Sequence, residues 1–249
     1  MSDSTQNRTA LVTGACGGIG QAICDVFAAG GYEVFGIDIQ QNDSFPHHLL
    51  QFDICRIGKD ETAARELLDL FRDAGGSHLD VLVNNAAVQV VKPFTELTPE
   101  DWQATLDTNL LAPFWLTRFF YPLLKETTGS VVNIASIHAN LTKKHFSAYA
   151  TSKGALVTLT KALALELAPD VRINAILPAA TNTPMLRKGF EGNEAGFTAL
   201  SHYHPLDRLA HPAEVAELAL YLAGPGARFM TGAAISVDGG ISSVLHDPA

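Results

Sequence analysis

Residues 10–20 read Ala10-Leu11-Val12-Thr13-Gly14-Ala15-Cys16-Gly17-Gly18-Ile19-Gly20, a short apolar run that passes straight into a glycine cluster and then into a helical pattern. A strand feeding a helix through such a turn aims backbone N–H groups and the positive helix end at whatever lies beyond the strand, a cradle suited to a pyrophosphate. Glycine matters there because any Cβ would hold the phosphate away. The spacing of Gly14, Gly18 and Gly20 is Gly-x-x-x-Gly-x-Gly, different from the Gly-x-Gly-x-x-Gly fingerprint, and the absence of a following Lys-Ser/Thr excludes a P-loop. By itself such a turn is equally a tight connection, so its meaning depends on the rest of the chain.

Outward from this turn, runs rich in Val, Ile and Leu alternate with longer helical patterns. Strands are predicted over 10–13, 33–38, 49–53, 81–84, 130–134, 172–176 and 234–237, and helices over 19–29, 60–74, 99–120, 149–167 and 213–222. Thr98 caps the helix that opens on Pro99. The alternation predicts an α/β fold, a Rossmann-type doubly wound parallel sheet of about seven strands with helices on both faces. No repeat, linker or low-complexity tract interrupts it, so residues 1–249 read as a single dinucleotide-binding and catalytic domain. The exception to regularity is 183–209, where Gly189, Gly192, Gly196 and Pro205 mix with Phe190, Phe197 and Leu200. This predicts a mobile segment with an apolar side, a substrate lid in an enzyme or otherwise a long surface connection.

Composition narrows the class. The chain has 249 residues, a hydrophobic fraction of 47%, 20 glycines and 12 prolines, which describes a soluble globular protein long enough to bury a large core. A net charge of -9 disfavours nucleic-acid binding, which needs lysine and arginine against phosphate. The opening residues are polar and no apolar run approaches a membrane span, so the expectation is a cytoplasmic protein with no membrane partner. Cys16, Cys24 and Cys55 are odd in number and include no CxxC, so free thiols are expected, with no disulfide framework and no metal site.

Asp38 ends the second predicted strand, where a carboxylate can accept hydrogen bonds from both hydroxyls of an adenosine ribose and repel a 2'-phosphate. No lysine or arginine stands at Cys16, Gly17 or Ile39 to neutralise such a phosphate. The expected cofactor is therefore NAD. At the other end of the argument, Tyr149 and Lys153 are four apart at the start of a helix and so share a face. A tyrosine of pKa ~10 becomes a usable base when an ammonium and a cationic nicotinamide favour its phenolate. Spacing does not single out this pair, because Tyr121 and Lys125 repeat it. Context does: the strand over 130–134 delivers Ser136 to the carboxyl edge of the sheet, where its hydroxyl can steady a developing alkoxide. Tyr121 is expected to be helix-end packing.

With these residues in hand, the chain resembles the short-chain dehydrogenase/reductase family over nearly its whole length. The cofactor loop of that family matches Thr13 to Gly20, including Gly14, Gly17, Gly18, Ile19 and Gly20, and its Asn-Asn-Ala-Gly turn matches Asn84-Asn85-Ala86-Ala87. The active-site asparagine, serine, tyrosine and lysine match Asn109, Ser136, Tyr149 and Lys153. The resemblance implies that Asn109 distorts its helix and holds a water joined to Lys153, and that Lys153 binds the nicotinamide ribose. It implies adenine contacts from Asp53 and Ile54, further cofactor contacts from Ile39, Pro178 and Thr181, and a carboxamide contact from Thr183. Two positions depart from the family: Ala87 and Ala179 stand where glycine is usual, which would strain the backbone if either needed positive φ.

Gln89 and His138 are expected to face the substrate beside Ser136 and Tyr149, a pairing similar to that of bacterial 3-hydroxybutyrate dehydrogenases, with Phe146 in place of the lysine of that grip. Lys92, Lys143, Lys144, His145, Arg187 and Lys188 gather nearby in sequence and would draw an anion if they converge, or else form a solvated face. The expected activity is hydride exchange between NAD and a secondary alcohol or ketone: a hydroxy acid such as a 3-hydroxy acid, or alternatively a sugar or polyol. A reading from another class is an NAD-binding regulatory protein without turnover. The resemblance implies a homo-oligomer, with a tetramer favoured, built on the helices carrying Asn109 and Tyr149; Phe114, Trp115, Phe119 and Phe120 suit either an interface or core.

Overall fold

A computed structural model describes residues 7–245; segments 1–6 and 246–249, counted in the predicted domain, lie outside the described residues. The run quoted above is its centre. Strand β1 (Arg8–Thr13) pairs in parallel with β2 (Tyr32–Asp38) on one side and β4 (Val81–Asn84) on the other. With β3 (His48–Gln51), β5 (Ser130–Ile134), β6 (Arg172–Pro178) and β7 (Ala234–Val237) they form a seven-stranded parallel sheet in the order β3-β2-β1-β4-β5-β6-β7. The order reverses between β1 and β4, so their carboxyl ends open the crevice where ligands of such sheets bind.

Between the strands run α1 (Gly18–Ala29), α2 (Glu61–Asp73), α3 (Pro99–Leu106), α4 (Ala112–Glu126), α5 (Ser147–Leu167), α6 (Pro184–Lys188), α7 (Glu194–His202) and α8 (Pro212–Ala223). The pleat sorts the core between them. Leu11, Phe35, Leu82, Val131 and Ile173 are register neighbours across the sheet and bury one face against Leu67 of α2, Phe120 of α4 and Leu163 of α5. Ala10, Val34, Val81 and Val132 alternate with them and bury the opposite face against α1 and α8. Each fully buried Leu, Ile, Val or Phe side chain contributes about 1.5–3 kcal/mol. Of the five α4 aromatics, Phe120 is core, while Phe114, Trp115, Phe119 and Tyr121 are partly buried against it.

Besides shifts of one or two residues at several ends, four differences from the sequence reading bear on the site. The predicted helix over 99–120 is interrupted: α3 opens on a reciprocal cap between Thr98 and Asp101, then a π-helical turn spans Asp107–Leu111 before α4 runs on to Glu126. Apolar periodicity does not show such a turn, since it inserts backbone without changing residue type. Strand β3 stops at Gln51 because Asp53 accepts the Cys55 N–H and starts a short 3-10 turn. Helix α5 begins at Ser147, ahead of Tyr149. The segment 183–209, expected to be irregular, folds into α6 and α7, with Phe190 and Phe197 in edge contact at 5.8 Å and Arg187 over Phe197 at 5.1 Å. Two of its glycines mark breaks, Gly189 after α6 and Gly192 with φ 77°, while Gly196 lies within α7.

Candidate active site

The dinucleotide end is built around the β1–β4 crevice. Helix α1 starts at Gly18, and its cap Gly17 supplies no side chain to the first N–H groups. These donors face the carboxyl edge with the positive end of a twelve-residue helix behind them. Gly14 holds φ 64°, and a Cβ on it would come within 2.8 Å of Ala86 Cα; a Cβ on Gly20 would come within 2.0 Å of the Gly14 oxygen. The loop is thus closed onto the turn after β4. Thr13 Oγ1 accepts the N–H groups of Asn85 and Ala86, and Asn85 Nδ2 donates to the carbonyls of Thr13 and Gly14. Asn85 and Ala86 therefore shape the cradle through this weld. Ile19 packs beside the α1 face of the core, and Gly18 lies against Thr183 and Pro184 at the entrance to α6.

Asp38 is buried at the end of β2, with its carboxylate oxygens accepting the N–H groups of Cys16 and Gln40, each at 3.0 Å. Each oxygen retains a second acceptor position. The acid thereby stands against the glycine loop, with exposed Ile39 next to it and the Asp53–Ile54 turn at the end of the adjacent strand. An uncapped helix start, a glycine turn that tolerates no Cβ and a carboxylate one strand away fit the pyrophosphate and ribose of a dinucleotide. Ala87 and Ala179 create no strain: among the described residues, non-glycine positive φ occurs at Thr128, His145 and Asp207.

The reacting end lies where β5 leaves the sheet. Ser136 is buried just past Ile134, accepts the His138 N–H at 3.1 Å, and hydrogen-bonds the Tyr149 hydroxyl. Lys153, one turn along α5, is 2% exposed; its Nζ donates to the Ile134 carbonyl at 2.8 Å and lies 5.8 Å from the Tyr149 ring centroid. Burial pulls the lysine down to about 7. Burial likewise pushes Tyr149 above the ordinary tyrosine value, with the Ser136 hydrogen bond drawing it partly back. In the protein chain alone burial outweighs that pull, so the lowering expected from an ammonium and a cationic nicotinamide together is not met without the cofactor. Both groups lose water on folding, and that loss disfavours each charged form.

Asn109 is fully buried inside the π-helical turn. Its Oδ1 accepts the Val88 N–H at 2.9 Å, and its Nδ2 donates to the Val88 carbonyl at 2.9 Å and to Ser152 Oγ at 3.0 Å. The helix distortion implied by the family resemblance is present, and both donors and the oxygen of the amide hold three segments together.

Around the reacting groups, His138 stacks on Phe146 at 4.6 Å and meets the Tyr149 ring edge at 5.9 Å. Burial, reinforced by Lys143, lowers His138 to about 4, so it is a neutral polar wall at physiological pH. The Lys143 ammonium sits 4.6 Å from the Phe146 centroid, and Lys92 is held by both oxygens of Asp101 at 2.9 and 2.7 Å. Of the predicted basic residues, Lys92 is thus paired with a carboxylate, while Lys143 keeps its charge over the Phe146 ring. Gln89 is exposed on the loop beyond Val88. Pro178 ends β6, Thr181 donates to the Ala179 carbonyl, and Thr183 caps α6 by accepting the Leu186 N–H. Tyr121 and Lys125, the imitating pair, both bond Asp170 at the far end of α4. Sequence reading missed Ser152 and the Ile134 carbonyl; only the serine three residues after Tyr149, at a spacing that lets a helical hydroxyl bond back, carried a signal.

Comparison with known proteins places the chain by family and fold. A family model described as enoyl-(acyl carrier protein) reductase, of the adh_short_C2 type, matches residues 14–242. An acetoacetyl-CoA reductase of Acinetobacter is 30% identical over 249 residues, covering 95% of this chain and 98% of that protein. An uncharacterized short-chain type dehydrogenase/reductase of Sinorhizobium fredii is 36% identical over 247 residues, 95% of this chain, which spans 44% of that longer relative. The ligand-free structure of Thermoplasma acidophilum aldohexose dehydrogenase superposes with a TM-score of 0.91 at 31% identity, covering 98% of this chain and 97% of that one.

Proposed function

The chain belongs to the short-chain dehydrogenase/reductase family, an enzyme family that works with a nicotinamide cofactor, and from that premise we propose that it exchanges a hydride between NAD and a secondary alcohol or its ketone. The observation that carries this reading is the meeting of Ser136, Tyr149 and Lys153 at the carboxyl end of β5, within the same sheet edge as the glycine loop. Bound along that edge, the nicotinamide supplies the hydride acceptor or donor. Tyr149 takes the hydroxyl proton of the alcohol, or returns it to the ketone, while Ser136 steadies the substrate oxygen. Lys153 would hold the ribose of a bound nicotinamide nucleotide and, when charged, favours the Tyr149 phenolate. Asn109, in its π turn, supports a proton path from Lys153 to solvent. Asp38 selects NAD, since a 2'-phosphate beside its buried carboxylate would meet like charge. The α6–α7 segment serves as the lid.

For the substrate we favour a sugar or polyol over an acid. Lys92 is spent on Asp101, Lys143 lies over Phe146, and the neutral His138 offers hydrogen bonds without charge. The similarity to an aldohexose dehydrogenase supports the same choice. A 3-hydroxy acid is the second reading, resting on the Gln89 and His138 pairing. We further propose a cytoplasmic homo-oligomer, a tetramer being the family expectation. In support, no described helix is long and apolar enough to cross a membrane, Cys16, Cys24 and Cys55 are free thiols, and Leu111 and Leu165 are exposed beside α4 and on α5.

The test is NADH formation from a panel of sugars, polyols, 3-hydroxy acids and hydrophobic alcohols, with wild type and Tyr149→Phe. Wild type should turn over, and Tyr149→Phe should bind NADH yet lose roughly 10²-fold or more in kcat. Equal rates would remove Tyr149 as the base. Cofactor binding with no turnover on any compound would instead favour a regulatory protein.

A further inference from the structure

Ser152 has no part in the proton exchange just described, yet it is fully buried and its hydroxyl is used twice. It accepts from Asn109 Nδ2 at 3.0 Å and donates to the Tyr149 carbonyl at 2.7 Å. The rest of the Asn109 amide is bonded to the backbone of Val88. Ser152 is therefore the point at which the clamp between the π turn and the β4 turn reaches the first turn of α5, where Tyr149 stands.

We infer that Ser152 is a positioning residue, whose hydroxyl passes the hold of Asn109 to the Tyr149 turn and so sets where the Tyr149 oxygen stands relative to Ser136. This rests on the dehydrogenase reading and adds to it. Removing the hydroxyl leaves a buried Asn109 N–H without its acceptor, and the π turn or the start of α5 must move to find another. Proton transfer works only within hydrogen-bond reach, so a small shift at Tyr149 is felt in the chemical step. The glycine loop is held by Thr13 and Asn85, with no bond to Ser152, and Lys153 is anchored separately on the Ile134 carbonyl, so cofactor affinity should be largely spared.

The experiment measures kcat, KM, NADH affinity by fluorescence, and thermal unfolding for wild type, Ser152→Ala, Ser152→Cys and Ser152→Thr. In Ser152→Ala, kcat should fall about 10- to 100-fold while NADH affinity and cooperative unfolding persist. The alkaline shift of the kcat–pH profile expected of a misplaced, less supported phenol should accompany the loss. Ser152→Thr, which keeps the hydroxyl, should recover most of kcat. Wild-type kcat in Ser152→Ala, or NADH affinity falling in step with kcat, overturns the proposal. Should Ser152→Ala fail to fold, the near-isosteric Ser152→Cys decides, with reduced kcat in support and wild-type kcat against. A wild type inert toward every alcohol and ketone defeats the dehydrogenase reading itself, and this inference with it.

Discussion

Lys153 Nζ donates to the carbonyl oxygen of Ile134 at 2.8 Å, so the buried cation of the site is held by a neutral backbone dipole at the end of β5. That placement fixes the lysine where the strand, Ser136 and Tyr149 converge. It also makes the charged form costly, which is why burial brings the lysine down to about 7.

The cost predicts a pH-dependent stability for the cofactor-free protein. Below about 7 both folded and unfolded Lys153 carry the proton; from there to the ordinary 10.5 the unfolded chain binds a proton that the native state does not. Stability from this group therefore rises with pH across that window. Urea midpoints for wild type and Lys153→Met, taken at about pH 6 and about pH 9, should show the variant gaining at the lower pH and wild type catching up at the higher. A difference that stays flat with pH would contradict a desolvated Lys153.

Cofactor choice should follow the Asp38 carboxylate. Asp38→Asn keeps an acceptor for the backbone but drops the charge, and combined with Ile39→Arg it should raise kcat/KM for NADP at least about tenfold relative to NAD. Initial rates with both cofactors measure this. A wild type that already prefers NADP would defeat the assignment.

Two glycines offer a contrast. In Gly20→Ala the new Cβ would fall within 2.0 Å of the Gly14 oxygen, so the loop must shift, with a stability cost of about 1–3 kcal/mol and a large loss of NADH affinity. Gly31→Ala has open space around it but φ 81°, so it should cost about 1–2 kcal/mol and leave NADH binding intact. Denaturant melts and NADH titration separate the two, and unchanged affinity in Gly20→Ala would remove the loop from the cofactor site.

Charge in the pocket can be altered without touching the reacting groups. Asp101→Asn removes the charge that pairs the Lys92 ammonium, with some weakening of the α3 capping box. KM for 3-hydroxy acids should fall while KM for sugars holds. If both respond alike, Lys92 does not face the substrate.

The fold was legible because each signal was local. Leu11, Leu82 and Val131 sit in short apolar runs whose alternation sends them to one face, and Gly14 to Gly20 announced the turn between β1 and α1. The candidate catalytic residues were legible through their order along the chain. Arithmetic of spacing did not separate Tyr149 from Tyr121; Asp170 at the latter and Ser136 at the former do. The break at Asp107–Leu111 was invisible to periodicity because Asn109 makes it with Val88 and Ser152, partners 21 and 43 residues away.

By itself, then, the sequence determined the alternating strands and helices, the sheet edge to which Ser136, Tyr149, Lys153 and Asp38 are delivered, and the family they resemble, since all of these follow from near neighbours in the chain. Only the tertiary structure decided the lowered pKa values of Lys153 and His138, the pairing of Lys92 with Asp101 and the bonds of the Asn109 amide to Val88 and Ser152. Solvation and hydrogen bonding depend on what distant segments bring to the same few ångströms, and no reading along the chain contains that.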